Sequence, residues 1–404
     1  MKKKLLLLGG SAQQVVAIEQ AKKMGLYTIV CDYLPDNPGQ FHADKFYQVS
    51  TTDKEAVCRV AEQENIDGIM AYASDPAAPT AAYVAEKLHL PGNPYKAVEI
   101  LCNKDQFRDF LAKHGFCTPK AKGYSDIEAA KKDIENGYFS LPVVVKPVDS
   151  SGSKGVSKCI CDSSLESKLQ LAMSYSRSKH IIVEEYVEKL GYQIAGDGLS
   201  VDGKLAFYCF ANDHFDANSP NPFVPISASF PYNMPKAVHE KIAAEIQRLL
   251  TLLDMKTCTY NFDIRIDQDY NVYPMEIAPR DGGNYIPQLI KYATGVDLVK
   301  CSILAAMGEP IQCSQSTQST GFWAYYAVHS LQDGVLKKID IDKIVEQRQI
   351  VENHLLVKPG DCVQKFVGAN STLGILLMRF DSMEQMLHMM DHAEEWIQVR
   401  VEEE

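Results

Sequence analysis

A lysine closing an apolar run, Val143-Val144-Val145-Lys146-Pro147, is followed directly by Asp149-Ser150-Ser151-Gly152-Ser153-Lys154-Gly155. A strand fixes the base of such a lysine and partly desolvates its ammonium, which makes an anion its natural partner. The small residues behind it let backbone N–H groups come close to phosphate oxygens. The pattern does not match G-x-x-x-x-G-K-[ST], so this is not a P-loop. Taken alone, the segment reads equally well as a surface hairpin with a solvated lysine.

A second group lies further on. Asn261-Phe262-Asp263-Ile264-Arg265-Ile266 alternates, Asp267 to Asn271 is turn-like, and Val272-Tyr273-Pro274-Met275-Glu276-Ile277 resumes. A turn centred on Asp269-Tyr270 sets Asp263 directly opposite Glu276, with Phe262, Ile264, Met275 and Ile277 on the other, apolar face. Like charges directly across a sheet are unfavourable unless something compensates them. A divalent cation shared with phosphate oxygens, Mg2+ or Mn2+ in its place, is the simplest compensation. A salt-bridge network through Arg265, on the same acidic face, is the alternative.

Other residues give weaker signals. Gly9-Gly10-Ser11 follows an apolar run and opens a helix, a turn that can hold a phosphate. Asp32 ends the next strand, where dinucleotide-binding folds place their ribose acid. G-x-G-x-x-G is absent, so a tight turn explains the glycines at least as well. Ser74-Asp75 could line an acceptor pocket or cap a helix, and Pro76 after it suits the cap. Glu184-Glu185-Tyr186-Val187 is an ordinary strand end by itself. No Ser/His/Asp or Cys/His set stands out. His214, in Asn212-Asp213-His214, and Asn284 are the substrate-side candidates, although a loop histidine is usually solvated.

The elements needed to position these residues form an α/β and α+β multidomain chain. Over residues 1–100, strands Leu5–Leu8, Tyr27–Cys31 and Asp67–Tyr72 alternate with helices Ala12–Met24, Lys54–Glu64 and Ala77–Leu88. That order predicts a parallel sheet with helices on both faces. Pro91-Gly92-Asn93-Pro94 interrupts it. A helix runs from Lys104 to about His114, and strands follow at Pro142–Lys146 and Ile181–Glu185. Residues 192–280 read as an antiparallel sheet with one inserted helix, Lys236–Leu253, and a long surface loop, Asn212–Pro235. Residues 311–404 read as a third unit of strands with a helix, Met383–Trp396.

Bulk properties bound the function. With 404 residues the chain exceeds one ordinary core, and 46% hydrophobic with 23% charged residues is a globular composition. A net charge of −11 argues against non-specific nucleic-acid binding. It does not exclude ATP, whose phosphates are held locally. Eleven cysteines without a C-x-x-C pair argue against a zinc site or disulfide framework and for a reducing cytoplasm. The run Leu5–Leu8 after Lys2-Lys3-Lys4 is too short for a signal peptide, and no stretch is long enough to span a membrane.

The ordered set Lys104, Lys146 with its Ser/Gly loop, Glu184-Glu185-Tyr186-Val187, Asp263 and Glu276-Ile277-Ala278-Pro279-Arg280 resembles the ATP-grasp superfamily, in the branch with biotin carboxylase, carbamoyl-phosphate synthetase and amino-acid ligases. The likeness covers nearly the whole chain. It implies a pre-ATP-grasp domain at 1–100 and a grasp domain at 101–310. The grasp divides into a lid and hinge part at 101–187 and a metal-bearing sheet at 188–310; a small mixed domain follows at 311–404. Carried over, Lys104 and Lys146 contact ATP phosphates and Ser150, Ser151, Gly152, Ser153 and Gly155 close over them. Glu184, Glu185, Tyr186 and Val187 hold adenine, with the backbone of the last two reading its edge. Asp263 and Glu276 bind Mg2+. Arg280 steadies an acyl-phosphate or carboxylate, Arg265 shares its site, and Gly282-Gly283-Asn284 admits substrate.

Two positions depart from the family pattern. Ala278 stands where a metal-binding asparagine is usual, and Asn261, facing it across the ladder, or a water, is expected to supply the missing oxygen. Gln193 stands where a ribose-binding glutamate is usual; an amide still hydrogen-bonds a hydroxyl, but as a neutral group. The implied reaction is ligation of a small-molecule carboxylate to an amine through an acyl-phosphate, by a homodimer, with no nucleic-acid or membrane partner. The alternatives are carboxylation with bicarbonate and an ATP-binding protein with impaired chemistry. A nicotinamide dehydrogenase is disfavoured by the incomplete glycine pattern.

Overall fold

The structure is a computed structural model that describes residues 2–160, 163–312 and 319–402. The first sheet is parallel, in the order Lys45–Gln48, Tyr27–Asp32, Lys4–Leu8, Gly68–Met70. Alternation along Lys4–Leu8 sends Leu6 and Leu8 into a core with helices Lys54–Glu64 and Ala78–Lys87, and Leu5 and Leu7 into the opposite core. Helix Val15–Lys23 covers that opposite face together with Leu298–Ala306, which comes from far along the chain. The strand Lys45–Gln48 has no apolar alternation to betray it: it is an edge strand whose residues are exposed or half-buried.

A four-stranded antiparallel sheet carries Lys146, in the order Ala121–Tyr124, Ile181–Glu185, Val143–Pro147, Ser157–Cys159. Helices Ile127–Glu135 and Leu165–Tyr175 back it, burying Val143, Val145, Ile181 and Val183. The largest sheet has eight strands, in the order Val272–Ala278, Cys258–Ile266, Gln193–Val201, Lys204–Phe215, Pro225–Phe230, Phe322–Val328, Gly374–Phe380, Ile350–Leu355. One face packs on helix Lys236–Leu252 through Phe210, Tyr260, Phe262 and Ile264, and the other on helix Ile286–Thr294 through Ala195, Leu199 and Phe207. Residues beyond 310 therefore extend this same sheet. A small three-stranded sheet, Cys362–Val363, Gly334–Ile341, Ile397–Glu402, lies beside it.

Two sequence expectations are corrected. The stretch 212–235 is not one long loop: it holds the end of Lys204–Phe215 and the whole of Pro225–Phe230. Its serines hid the second strand, because Ser227 and Ser229 are fully buried sheet residues. The last helix stops at Asp391, where His392 leaves helical geometry at φ −128° and ψ 54°, and a short 3-10 turn, Ala393–Glu395, follows. No helix of the described residues is long and apolar enough to cross a membrane.

Candidate active site

An open cleft of about 780 Å3, counting the solvent space at its mouth, separates the Lys146 sheet from the acidic face of the eight-stranded sheet. Lys104, Lys146, Ser150, Ser151, Gly152, Ser153, Glu184, Glu185, Tyr186, Val187, Gln193, Asp263, Arg265 and Glu276 line it. Gly155 lies behind the loop instead: a side chain there would meet Tyr175 at 3.0 Å.

The acidic pair forms, but Met275, expected on the opposite apolar face, lines the cleft beside it. Asp263 faces Glu276, Asn261 faces Ala278, and a bulge follows Asp263 on the turn side. Asp263 Oδ1 is buried and, among the described residues, has no hydrogen-bond partner. Burial pushes the Asp263 carboxyl up to about 6; Arg265 opposes this and Glu276 adds to it. Glu276 Oε2 lies 3.0 Å from Lys104 Nζ, which also donates to the carbonyl of Ser150 at 3.0 Å. Arg265 does not form the alternative salt-bridge network with the acids. Its Nε donates to Gln193 Oε1 at 2.8 Å and its Nη1 to the carbonyl of Val187 at 2.9 Å, while its guanidinium sits 4.9 Å from the centre of the Tyr186 ring. It therefore buttresses the Tyr186-Val187 segment rather than the reacting end. An unpartnered buried carboxylate oxygen beside a second carboxylate and a phosphate-loop lysine fits an oxygen-seeking cation such as Mg2+.

Asn261 is oriented by its neighbours. Its Nδ2 donates to Asp197 Oδ1 at 2.9 Å and to the carbonyl of Gly196 at 3.2 Å. Both partners are acceptors, so the amide nitrogen faces them and the amide oxygen turns the other way. Asp197 is fully buried and also accepts the Gly282 N–H at 2.9 Å. One carboxylate thus orients both Asn261 and the Gly282-Gly283 turn.

Glu184 pairs with Val144 across the ladder, which places Lys146, two residues on, upon the same face. Lys146 Nζ lies 2.7 Å from Glu184 Oε2, and Arg108 Nε lies 2.9 Å from Glu184 Oε1 without hydrogen-bond alignment. Burial alone would raise the Glu184 carboxyl, but Arg108 and Lys146 together hold it down at about 2. Burial and the Arg108 charge lower Lys146 against the pull of Glu184. Arg108 also donates to the carbonyls of Pro274 and Met275, at 3.3 and 3.0 Å. It thereby fixes the backbone just before Glu276, a role that sequence reasoning missed. The available signal was its place one helical turn after Lys104, on the same face of helix Lys104–Lys113. Glu185 Oε1 accepts the Ser140 N–H at 2.7 Å, and the Tyr186 N–H donates to the carbonyl of Pro142 at 3.0 Å. Of the two backbones expected to read a base, only Val187 has an N–H outside the described hydrogen bonds.

Arg280 reaches out of the metal strand to the first domain: its Nε donates to Asp75 Oδ1 at 2.6 Å, and its Nη1 to the carbonyl of Asp281 at 2.9 Å. Asp75 is thus an ion-pair partner rather than a helix cap. Burial pushes the neighbouring Asp281 carboxyl up to about 8; Asp197 adds to this, and Ser302 and Thr259 oppose it. Among the described residues, neither Asp281 oxygen has an aligned hydrogen-bond partner. The folded carboxyl keeps its proton to about pH 8, whereas the unfolded one ionises near about pH 4. Rising pH between those values therefore favours the unfolded chain. Asp281→Asn, which cannot ionise, is expected to melt above the parent protein at pH 8, with the gap closing toward pH 4. Melting curves across that range check this, and a gap independent of pH would contradict it.

One other expectation is corrected here. His214 is not on the cleft. Asp213 and Phe215 alternate with it, and His214 faces the opposite side of the sheet, with Nε2 2.9 Å from Ser229 Oγ and Nδ1 2.6 Å from Asp391 Oδ1. The trio has the order of a nucleophilic triad, but Ser229 is fully buried and Asn212 also donates to its hydroxyl, so it ties strands to helix Met383–Asp391. The glycine turn is plugged as well. Gln14 Nε2 donates to the carbonyls of Leu8 and Tyr72, its Oε1 accepts the Ser11 N–H, and Asp32 accepts the N–H groups of Gly10 and Leu34. A dinucleotide finds neither an open turn nor a ribose acid there. Gln13 instead accepts the Asn284 N–H at 2.7 Å, joining this turn to the Gly282-Gly283-Asn284 segment.

Residues 139–288 match the family model of the ATP-grasp domain. Among curated proteins, the chain is 27% identical over 357 residues to an uncharacterized protein of Sinorhizobium fredii, covering 85% of this chain and 71% of that one. It is 31% identical over 189 residues to a formate-dependent phosphoribosylglycinamide formyltransferase of Prochlorococcus marinus, covering 46% of this chain and 48% of that one, so the match spans about half the length of that relative. Among solved structures, an L-amino acid ligase from Bacillus licheniformis superposes with a TM-score of 0.82 at 21% identity, over 99% of both chains. The segment that matches the ATP-grasp domain model, residues 139–288, holds Lys146, Glu184, Asp263 and Glu276.

Proposed function

We propose that this chain is an ATP-dependent ligase that joins a carboxylate to an amine through an acyl-phosphate, releasing ADP and phosphate. The observation that carries this is the facing pair Asp263 and Glu276, with an unpartnered buried oxygen, beneath a loop flanked by Lys104 and Lys146. Lys104 and Lys146 hold phosphate oxygens, and the N–H groups of Ser150–Ser153 approach them from the loop. The Tyr186-Val187 segment, buttressed by Arg265, receives adenine, and Gln193 receives the ribose. Asp263, Glu276 and the Asn261 amide oxygen hold Mg2+, with Mn2+ as a substitute. The metal supplies neutralisation of phosphate charge.

Arg280, held by Asp75, steadies the anionic acyl-phosphate at the end of the metal strand. In the first step a carboxylate oxygen attacks the γ-phosphorus and the bond to ADP breaks. In the second an amine nitrogen attacks the acyl carbon and phosphate leaves. Closing the cleft excludes water that would hydrolyse the intermediate. The 1–100, 101–310 and 311–404 division, a homodimer and a cytoplasmic setting belong to the same proposal. Asn261→Ala is expected to raise the Mg2+ concentration needed for half-maximal rate, and an unchanged Mg2+ dependence would remove Asn261 from the metal site.

The deciding experiment is phosphate release from Mg-ATP with pairs of amino acids and small carboxylates, with and without bicarbonate, followed by mass spectrometry of active mixtures. Amide products support the proposal. Release that requires bicarbonate would replace it with carboxylation, and tight ATP binding without ADP formation in any mixture would replace it with a nucleotide-binding role.

A further inference from the structure

The phosphate loop is gripped on its far side by two segments that the roles above do not use. The carbonyl of Gly152 accepts the Ala369 N–H at 3.1 Å. Ser153 Oγ donates to the carbonyl of Phe223 at 2.7 Å. Asn221 Nδ2 donates to the carbonyl of Ser153 at 2.9 Å and to that of Val367 at 3.0 Å, and its Oδ1 accepts the Phe223 N–H at 3.1 Å. Ser219, on the same turn, donates to the carbonyl of Phe366 at 3.2 Å. The approach is tight: a side chain at Gly152, whose φ is +65°, would meet Ala369 Cβ at 3.0 Å. Asn221 is only 9% exposed, and Phe223 beside it lines the nucleotide cleft.

We infer that Asn221 is a positioning residue that latches the phosphate loop, pinning Ser153 to Val367 so that the segment after residue 365 becomes part of the nucleotide trap. The inference rests on the proposed Mg-ATP function. A loop with positive φ at Gly152, Ser153 and Gly155 has little preference of its own for one closed shape. Its closed form must be held by bonds from outside. One primary amide has two N–H donors for two carbonyls. A carboxylate at the same place has none, and would face both carbonyls as a third acceptor. Release of ADP requires these bonds to open, so the latch sets the release rate.

The test uses the full chain, Mg2+ and a fluorescent methylanthraniloyl-ADP, and measures release by stopped flow alongside tryptic cleavage at Lys154. Asn221→Ala loses all three side-chain hydrogen bonds, including the two that join the loop to Val367, and is expected to speed release about tenfold and expose Lys154. Asn221→Asp is expected to do at least as much. Ala369→Pro deletes the N–H that reaches Gly152 and puts a ring carbon in its place, at the first position of the short helix Ala369–Ser371, and is expected to shift both readouts the same way. Rescue of the parental release rate by Asn221→Gln would also support the latch. Unchanged release and Lys154 protection in Asn221→Ala and Ala369→Pro chains that bind the analogue would overturn it. Failure of the parent chain to bind the Mg-nucleotide would overturn the functional reading and the latch together, which keeps the two failures distinguishable.

Discussion

Asp263→Asn is expected to lower kcat by about 10^3-fold while leaving the metal-free protein as stable as the parent or more so. The two effects have opposite signs for one reason. The Asp263 carboxyl is buried, raised to about 6 and unpartnered at Oδ1, so its charge is a burden until a cation arrives. The amide keeps the shape and removes that burden, but it offers a metal no negative charge. Steady-state kinetics and thermal melting check the pair. Retained activity would remove Asp263 from the metal site, and a large fall in melting temperature would show that the carboxylate holds the sheet together instead.

Arg108→Met is expected to destabilise the protein by about 3–5 kcal/mol and to raise the KM for Mg-ATP. Glu184 and Arg108 have side chains only 1% and 3% exposed, so solvent cannot take over from a lost partner. The carbonyls of Pro274 and Met275 lose their donors in the same substitution, which loosens the strand that presents Glu276. Urea unfolding measures the first effect, and a loss below about 1 kcal/mol would contradict it. Adding Glu184→Gln to Arg108→Met should cost less than the sum of the two single changes. The carboxyl held at about 2 also gives a pH signature. Its contribution is full above the unfolded value of about 4.3 and is lost as pH falls toward about 2.

The metal pair was legible through two short rules. Alternation assigned the faces, and a turn expected at Asp269-Tyr270 gave the facing pair. Beside the turn the pairs are Ile266 with Val272 and Arg265 with Tyr273, which centre the turn on Asp269 alone; the bulge after Asp263, invisible in the sequence, is what restores Asp263 opposite Glu276. Arg108 was illegible for the converse reason: its partners lie 76 to 167 positions away in sequence, and a lone arginine in an amphipathic helix announces nothing. His214 shows the limit of composition. Asn- and Pro-rich surroundings suggested a loop, whereas small buried serines were completing a sheet. The strand Phe322–Val328 reads as a strand but not as a neighbour of Pro225–Phe230, because pairing across nearly a hundred residues leaves no local trace. Arg265 was placed on the correct face, yet its length let it turn toward Gln193 and Val187 rather than toward the acids.

Titrating Mn2+ into the full chain with a non-hydrolysable ATP analogue, followed by electron paramagnetic resonance, tests the metal site most directly. The parent chain is expected to bind Mn2+ in a nucleotide-dependent manner. The double variant Asp263→Asn, Glu276→Gln, still folded by its melting curve, is expected to bind it more than about tenfold more weakly. Undiminished nucleotide-dependent Mn2+ binding in that variant would contradict the assignment of Asp263 and Glu276 as the Mg-ATP site.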